Sequence, residues 1–444
     1  MNTPDATPRI ATPHISPAIA HAAAALGPGP LTEAALRAHI FPLFSRILKR
    51  PGIYLANHSL GRPLDQMSAD VQAALDAWYR DMDDAWGPWL DELHTFRNNI
   101  ACLLGISRAD AVVPKSSAGQ GLRAVLNALP APTPRILTTR GEFDSIDFIL
   151  KTYHHRRRAD VTWIEPHTPP DHPPRFHTDD LIAALTREHF DLLVVSPVFY
   201  ATGQLLDDLP RLIAAAHAKN TLVLLDCYHA AGVIPLALES LNADFAIGGS
   251  YKYTRGGPGA CWLMIHPRHL TPERDNDNHE PLFRTLDTGW FAKRDTFKFQ
   301  RPEQPLLAHG GDAWMEATPA ILPLYQAKSG LELTLALGVE RLRAYSLEQL
   351  AFLEAALREH NIPTRRGGAS PQHSGAYVLI PHADTGTFCN RLKSHNVIAD
   401  ARLGHARFAP DILTTRDELT RAAAIIAECL HQASPHDPLT SRTD

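Results

Sequence analysis

Six short apolar runs, at residues 135–139, 161–165, 191–196, 222–226, 245–248 and 261–265, succeed one another through the middle of this chain. Helical stretches, such as 181–188 and 212–219, separate several of them. Runs that are apolar throughout, rather than alternating, belong to strands covered on both faces, and strands separated by helices pair in parallel. The pattern predicts a mostly parallel sheet with helices on both sides. Ligands of such sheets collect beyond the carboxyl ends of the strands, and Ser196, Asp226 and Lys252 all fall there.

Residues 244–259 carry the strongest chemical signal: an apolar strand runs into Lys252, and Gly256, Gly257 and Gly259 follow. A lysine after a strand is by default a solvated loop charge, and an aspartate at a strand end is by default a helix cap. Here the two stand at the ends of successive strands. An amine able to form a Schiff base, paired with a carboxylate able to hold a protonated pyridine nitrogen, is what pyridoxal phosphate (PLP) requires. A phosphate also needs backbone N–H groups at a helix start, and Lys115-Ser-Ser-Ala-Gly-Gln-Gly121 supplies small residues ahead of a helical stretch at 122–129. Phe143, at the end of the strand and turn that follow, offers a ring to stack on the pyridine.

Composition narrows the remaining classes. A length of 444 residues, 44% hydrophobic and 20% charged, allows one large domain plus a smaller one, each with its own core. A net charge of −5 argues against a nucleic-acid surface, and the basic run 154–158 reads as a solvated turn. The five cysteines (Cys102, Cys227, Cys261, Cys389 and Cys429) contain no CxxC pair and read as reduced thiols of a cytoplasmic protein. The histidines show no metal-ligand spacing, so no metal site is expected. No secretion signal and no membrane span is expected, because the first 30 residues lack a basic region with an apolar core and no stretch approaches about 20 apolar residues.

The proline-rich stretch 167–180 reads as a surface loop, and 275–305 has too little periodicity for regular structure. Residues 319–360 read as two helices leading to a smaller domain with strands at 376–380 and 397–400. A last helix is opened by the capping box Thr415-Arg-Asp-Glu418.

From about Ile53 to Pro410 the chain resembles kynureninase, of the class V aminotransferase group of fold type I PLP enzymes. The resemblance is carried by Ile53-Tyr-Leu-Ala-Asn-His-Ser-Leu-Gly61, Ser196-Pro-Val-Phe-Tyr-Ala-Thr-Gly-Gln204, Asp226-Cys-Tyr-His229, Ser250-Tyr-Lys-Tyr253, Thr288-Gly-Trp-Phe291 and Arg407-Phe-Ala-Pro410. Related cysteine desulfurases usually carry a glutamine at the position of His229 and a histidine before the lysine. With the patterning, the resemblance implies an N-terminal segment over 1–64 that contributes to the small domain and the active-site entrance. A large PLP-binding domain on a mostly parallel seven-stranded sheet follows over 65–318, then a C-terminal α+β domain over 319–434 and a flexible tail over 435–444.

The resemblance also implies the site. Lys252 would carry PLP as a Schiff base, Asp226 would hold the pyridinium nitrogen, and His229 would lie beside the cofactor. Tyr251, Trp290 and Ser196, with the backbone of Ala118 and Gly119, would hold the phosphate, and Phe143 would cover one face of the ring. Arg407 would clamp the substrate α-carboxylate by its two-pronged donor geometry, with Asn57 and Ser59 approaching the substrate. Thr318, in the cofactor-binding set, stands where kynureninases usually have asparagine before proline. Ile146 stands where they have aspartate, with Asp147 one position along, and 83–89 lacks a clear counterpart of the aryl-binding stretch. The implied reaction is hydrolysis of the Cβ–Cγ bond of L-kynurenine to anthranilate and L-alanine. A class V aminotransferase or β-lyase acting on another amino acid is the alternative, and a noncatalytic PLP-fold protein a third reading. Trp290 reaching a neighbouring subunit's site would make the protein a homodimer with shared active sites.

Overall fold

The computed structural model describes residues 10–169, 172–270 and 282–431; the expected tail at 435–444, and residues 275–281 of the expected irregular stretch, lie outside them. Twelve strands follow in chain order: β1 (Ile53–Tyr54), β2 (Val112–Lys115), β3 (Arg135–Thr139), β4 (Asp160–Ile164), β5 (Leu192–Val195), β6 (Leu222–Asp226), β7 (Phe245–Gly249), β8 (Cys261–Ile265), β9 (Val378–Pro381), β10 (Val397–Ile398), β11 (Asp400–Arg402) and β12 (His405–Phe408). Seven form one sheet in the order β2-β8-β7-β6-β5-β3-β4. Strands β3 to β7 pair in parallel, whereas β8 is antiparallel to both β7 and β2. Every residue of β5, β7 and β8 is buried, as helices on both faces require.

All six apolar runs are strands of this sheet. The seventh, β2, carries no comparable signal because Pro114 interrupts it. It lies at the sheet edge, where a residue without an N–H is tolerated. The helix expected at 181–188 begins earlier, as Thr178–Arg187, so the proline-rich loop ends at His177. The stretch 319–360 is two helices, Ile321–Leu337 and Val339–Glu359, divided at Gly338 with φ +80°.

The C-terminal strands depart from expectation. The single strand expected at 397–400 is split: β10 pairs in parallel with β1, while β11 turns to pair with β12, which pairs with β9. Strand β12, His-Ala-Arg-Phe, has no apolar run to announce it. The helix Arg416–His431 is opened by the expected capping box, with Glu418 N–H donating to Thr415 Oγ1 at 3.1 Å and Thr415 N–H to the Glu418 carboxylate at 2.8 Å.

The N-terminal helices Pro17–Ala25 and Glu33–His39 bury Ile19, Leu36 and Ile40 against Leu333, Leu337 and Ile412. The chain then runs through β1 onto the loop that carries Lys252. There Gly61 N–H donates to the Tyr251 carbonyl at 2.8 Å, and a Cβ on Gly61 would lie 2.0 Å from the Lys252 carbonyl oxygen. No neighbour can yield, because the clash is with backbone. Gly61→Ala is therefore expected to lower stability by on the order of 1–3 kcal/mol, read as a reduced urea midpoint at unchanged slope.

Candidate active site

The carboxyl ends of β6 and β7 bring the two central residues together. Asp226 closes β6, 4% exposed, and accepts a hydrogen bond from Tyr228 N–H at 3.0 Å. Lys252 follows β7, also 4% exposed, and its Nζ is hydrogen-bonded to His229 Nε2. The amine lies 5.0 to 5.7 Å from the ring centres of Tyr228, Phe143 and Tyr251. Its hydrogen-bond partner is thus a histidine, not a carboxylate, among aromatic walls.

Burial sets the protonation of these groups. It pushes the Lys252 amine down, and Arg407 adds to that, while Asp226 opposes it. Burial pushes the Asp226 carboxyl up, offset by the Tyr228 N–H and by Lys252. Burial, then the charges of Lys252 and Arg407, hold His229 neutral, far below the ordinary histidine value. The Nδ1 of His229 is buried with no hydrogen-bond partner.

A cavity of about 350 Å³ opens from Asp226 and Lys252 toward the start of the helix Ala118–Leu126. Ala118 and Gly119 line its far end, and Ser117 caps the helix by accepting from Gln120 N–H at 3.2 Å. Phe143, Tyr228 and Tyr251 form its aromatic sides. A buried acid at one end, a buried amine beside it and a helix start at the other match a ring with a cationic nitrogen and a phosphate arm. The residues present therefore fit PLP.

Five expected residues lie outside this lining. Ser196 does not line the cavity; its hydroxyl donates to the Glu142 carboxylate at 2.6 Å. Thr318 lines an adjoining cavity of about 190 Å³ with Lys115, Ser116 and Gln120. Trp290 donates from Nε1 to the Thr296 carbonyl at 3.0 Å and packs among Trp86, Phe291, Phe297 and Phe299. Asn57 is buried and donates to the Ala409 carbonyl at 2.8 Å, while Ser59, two residues on, is partly exposed.

Arg407, on β12 and 2% exposed, meets Asp400 of β11 along the side of its fork: Nε donates at 2.8 Å to one carboxylate oxygen and Nη2 at 2.5 Å to the other. Its Nη1 donates to the Tyr200 carbonyl. His58, fully buried, donates from Nε2 to Asp400 at 2.7 Å. Burial and the Arg407 charge push His58 down to about 4, so this donor is neutral. Burial works against the Asp400 charge, yet His58 and Arg407 hold its carboxyl well below the usual range. The Tyr377 hydroxyl also hydrogen-bonds this guanidinium.

Sequence reasoning passed over His58, Asp400, Tyr228, Glu142 and Arg123. The first four sit inside segments it had singled out, but side-chain direction, which no spacing encodes across a loop, decides their partners. Glu142 is fully buried and accepts from Thr139 Oγ1 at 2.7 Å as well as from Ser196. Burial pushes its carboxyl up to about 7.

A family model for aminotransferase class V matches residues 71–282. The chain is 26% identical over 362 residues to a kynureninase of Shouchella clausii, covering 79% of this chain and 81% of that protein. It is 29% identical over 397 residues to a kynureninase of Salinispora tropica, with 84% and 89% covered. Among solved structures, apo cysteine desulfurase from Thermococcus onnurineus superposes with a TM-score of 0.70 at 16% identity, over 85% of this chain and 94% of that one. A cystine C-S lyase complexed with cysteine persulfide gives 0.72 at 17%, over 87% and 99%. Fold and sequence are together similar to those of the class V aminotransferase group of PLP-dependent proteins, fold type I. Within that group the chain is kynureninase-like. No described helix is long and apolar enough to cross a membrane.

Glu142 titrates near 4.5 when unfolded and about 7 when folded. The folded chain holds this proton better, so the contribution to stability is complete below about pH 4.5 and is lost as pH rises through about 7. Asp226 shifts in the same direction and contributes likewise. Glu142→Gln, isosteric with the protonated acid, is expected to flatten but not abolish the fall in apoprotein melting temperature between pH 5 and 8.

Proposed function

We propose that this protein hydrolyses the Cβ–Cγ bond of an L-kynurenine-type amino acid, releasing anthranilate and L-alanine. The observation that carries the reading is that Lys252 and Asp226 line one cavity with the helix start at Ala118 and Gly119, while His229 is hydrogen-bonded to Lys252 and the charge of Arg407 is felt by both, in a chain whose relatives over most of their length are named kynureninase. In this reading Lys252 carries the cofactor, Asp226 faces its ring nitrogen, Phe143 covers the ring, and Ala118 and Gly119 receive the phosphate.

When bound, PLP supplies an electron sink for the substrate α-carbon. The protein does the rest. Arg407 receives the α-carboxylate, with Asp400 fixing the guanidinium plane and His58 fixing Asp400. Lys252 Nζ, whose proton is loosened by burial, takes the α-proton and returns it to the adjacent position. Water then adds to the side-chain carbonyl carbon, the Cβ–Cγ bond breaks with its electron pair going to Cβ, and a proton completes alanine. Neutral His229, hydrogen-bonded to Lys252, steadies that amine without adding a second charge.

The reading includes a homodimer in a reducing, cytoplasmic setting. Supporting the dimer, Phe297 and Phe299, about half and two-thirds exposed, pack on Trp290, and exposed aromatic side chains grouped together mark an interaction surface. Supporting the setting, the cysteines are free thiols.

Purified holoprotein given L-kynurenine is expected to release anthranilate and alanine in equal amounts, followed by fluorescence and chromatography. Lys252→Ala is expected to abolish both turnover and the visible absorbance of the bound cofactor. Bound cofactor without anthranilate would remove the hydrolase reading, and keto-acid-dependent turnover of another amino acid would put a transaminase in its place. Asp400→Asn keeps the shape but drops the charge that aligns Arg407. Its KM is expected to rise by about tenfold with kcat changed far less.

A further inference from the structure

The cofactor cavity ends at a helix start whose neutral donors are too weak for the group they would hold. A phosphate monoester carries about −1.5 to −2 charges at neutral pH, whereas a helix N-terminus contributes about +0.5. Ser116, Ser117 and Tyr251 add hydroxyls but no charge, and Asp226, across the cavity, adds a negative one. Lys252 lies at the Asp226 end and is the residue the cofactor's carbonyl carbon requires. A further cation is needed at the phosphate end.

Arg123 is in position to be that cation. It is the arginine among the residues lining this cavity, half-buried on the helix Ala118–Leu126. It follows Gly119 by one helical turn. Residues i and i+4 share a helix face, and side chains lean toward the N-terminus, so a long side chain at 123 reaches back across position 119. A Cβ on Gly119 would lie 3.6 Å from Arg123 Nη1 and 2.8 Å from Ile149 Cδ1. The guanidinium therefore stands within ordinary contact distance of position 119, at the helix start. Among the described residues Arg123 has no carboxylate partner, although most other buried or half-buried arginines in this protein are ion-paired, such as Arg97 with Asp312 and Arg366 with Glu354.

We propose that Arg123 is a cofactor-binding residue that ion-pairs the PLP phosphate. The inference rests on the phosphate lying at this helix start, as proposed above. It makes affinity depend on the phosphate charge: the protein discriminates PLP from pyridoxal chiefly through one guanidinium at the fork-and-oxyanion geometry arginine favours.

The test is equilibrium binding to apoprotein, read by dialysis with PLP and, separately, with pyridoxal. For wild type, PLP is expected to bind far more tightly than pyridoxal, with an affinity that falls steeply with added NaCl. Arg123→Gln is expected to weaken PLP by about tenfold to a hundredfold, leave pyridoxal unchanged and flatten the salt dependence, while Arg123→Lys recovers part of the loss. If wild type binds both ligands equally, the phosphate does not lie at this helix and the site reading itself falls. If wild type prefers PLP and Arg123→Gln keeps that preference, or loses both ligands in proportion, the role of Arg123 is overturned and the site reading stands.

Discussion

The structure depends on keeping an amine buried without a carboxylate in contact. Lys252 sits 4% exposed among Phe143, Tyr228 and Tyr251, hydrogen-bonded to a neutral histidine, with Asp226 near enough to be felt but not paired with it. A buried unpaired cation is costly, so such a group sheds its proton more readily than one in water. A deprotonated amine is what nucleophilic and proton-transfer work requires. The cost is met by what surrounds it: strands β5 to β8, buried along almost their whole length, anchor both ends of the loop.

A second constraint is that the site is assembled from three distant stretches of chain. The segment after β1 arrives by pairing with β10 and presses Gly61 onto the Lys252 loop. The hairpin of β11 and β12 contributes Asp400 and Arg407, and His58 ties the hairpin to the segment after β1. Arg407, Asp400 and neutral His58 together add no net charge. The arginine can therefore be buried close to Lys252. Its planar fork meets both Asp400 oxygens side-on, which a lysine there could not reproduce.

Charge is distributed along the cofactor cavity rather than concentrated. Asp226 stands at one end, the helix start and Arg123 at the other, and Lys252 lies near the acid. Near Asp226, burial pushes the Glu142 carboxyl up to about 7 against the hydrogen bonds it accepts from Ser196 and Thr139, so this second buried carboxyl carries only part of a negative charge at neutral pH. The polarity of the cavity is thus set by burial as much as by residue identity.

What was legible in the sequence follows from local rules. Unbroken apolar runs announced six strands, because full burial on both faces leaves no polar position in them. The capping box announced the last helix, and Asp226 and Lys252 could be placed because strand ends set where their chains point. What the sequence did not show is what depends on distant partners. The strand β2 was hidden by a proline that only an edge position tolerates, and β12 by a polar pattern whose pairing lies 24 or more residues away in β9. Ser196 and Thr318 were in plausible places but face Glu142 and an adjoining cavity. The bond that ties His58 to the Asp400–Arg407 pair was likewise decided by tertiary structure alone, since His58 and Asp400 are more than 300 positions apart and meet only once β1 and β10 are side by side.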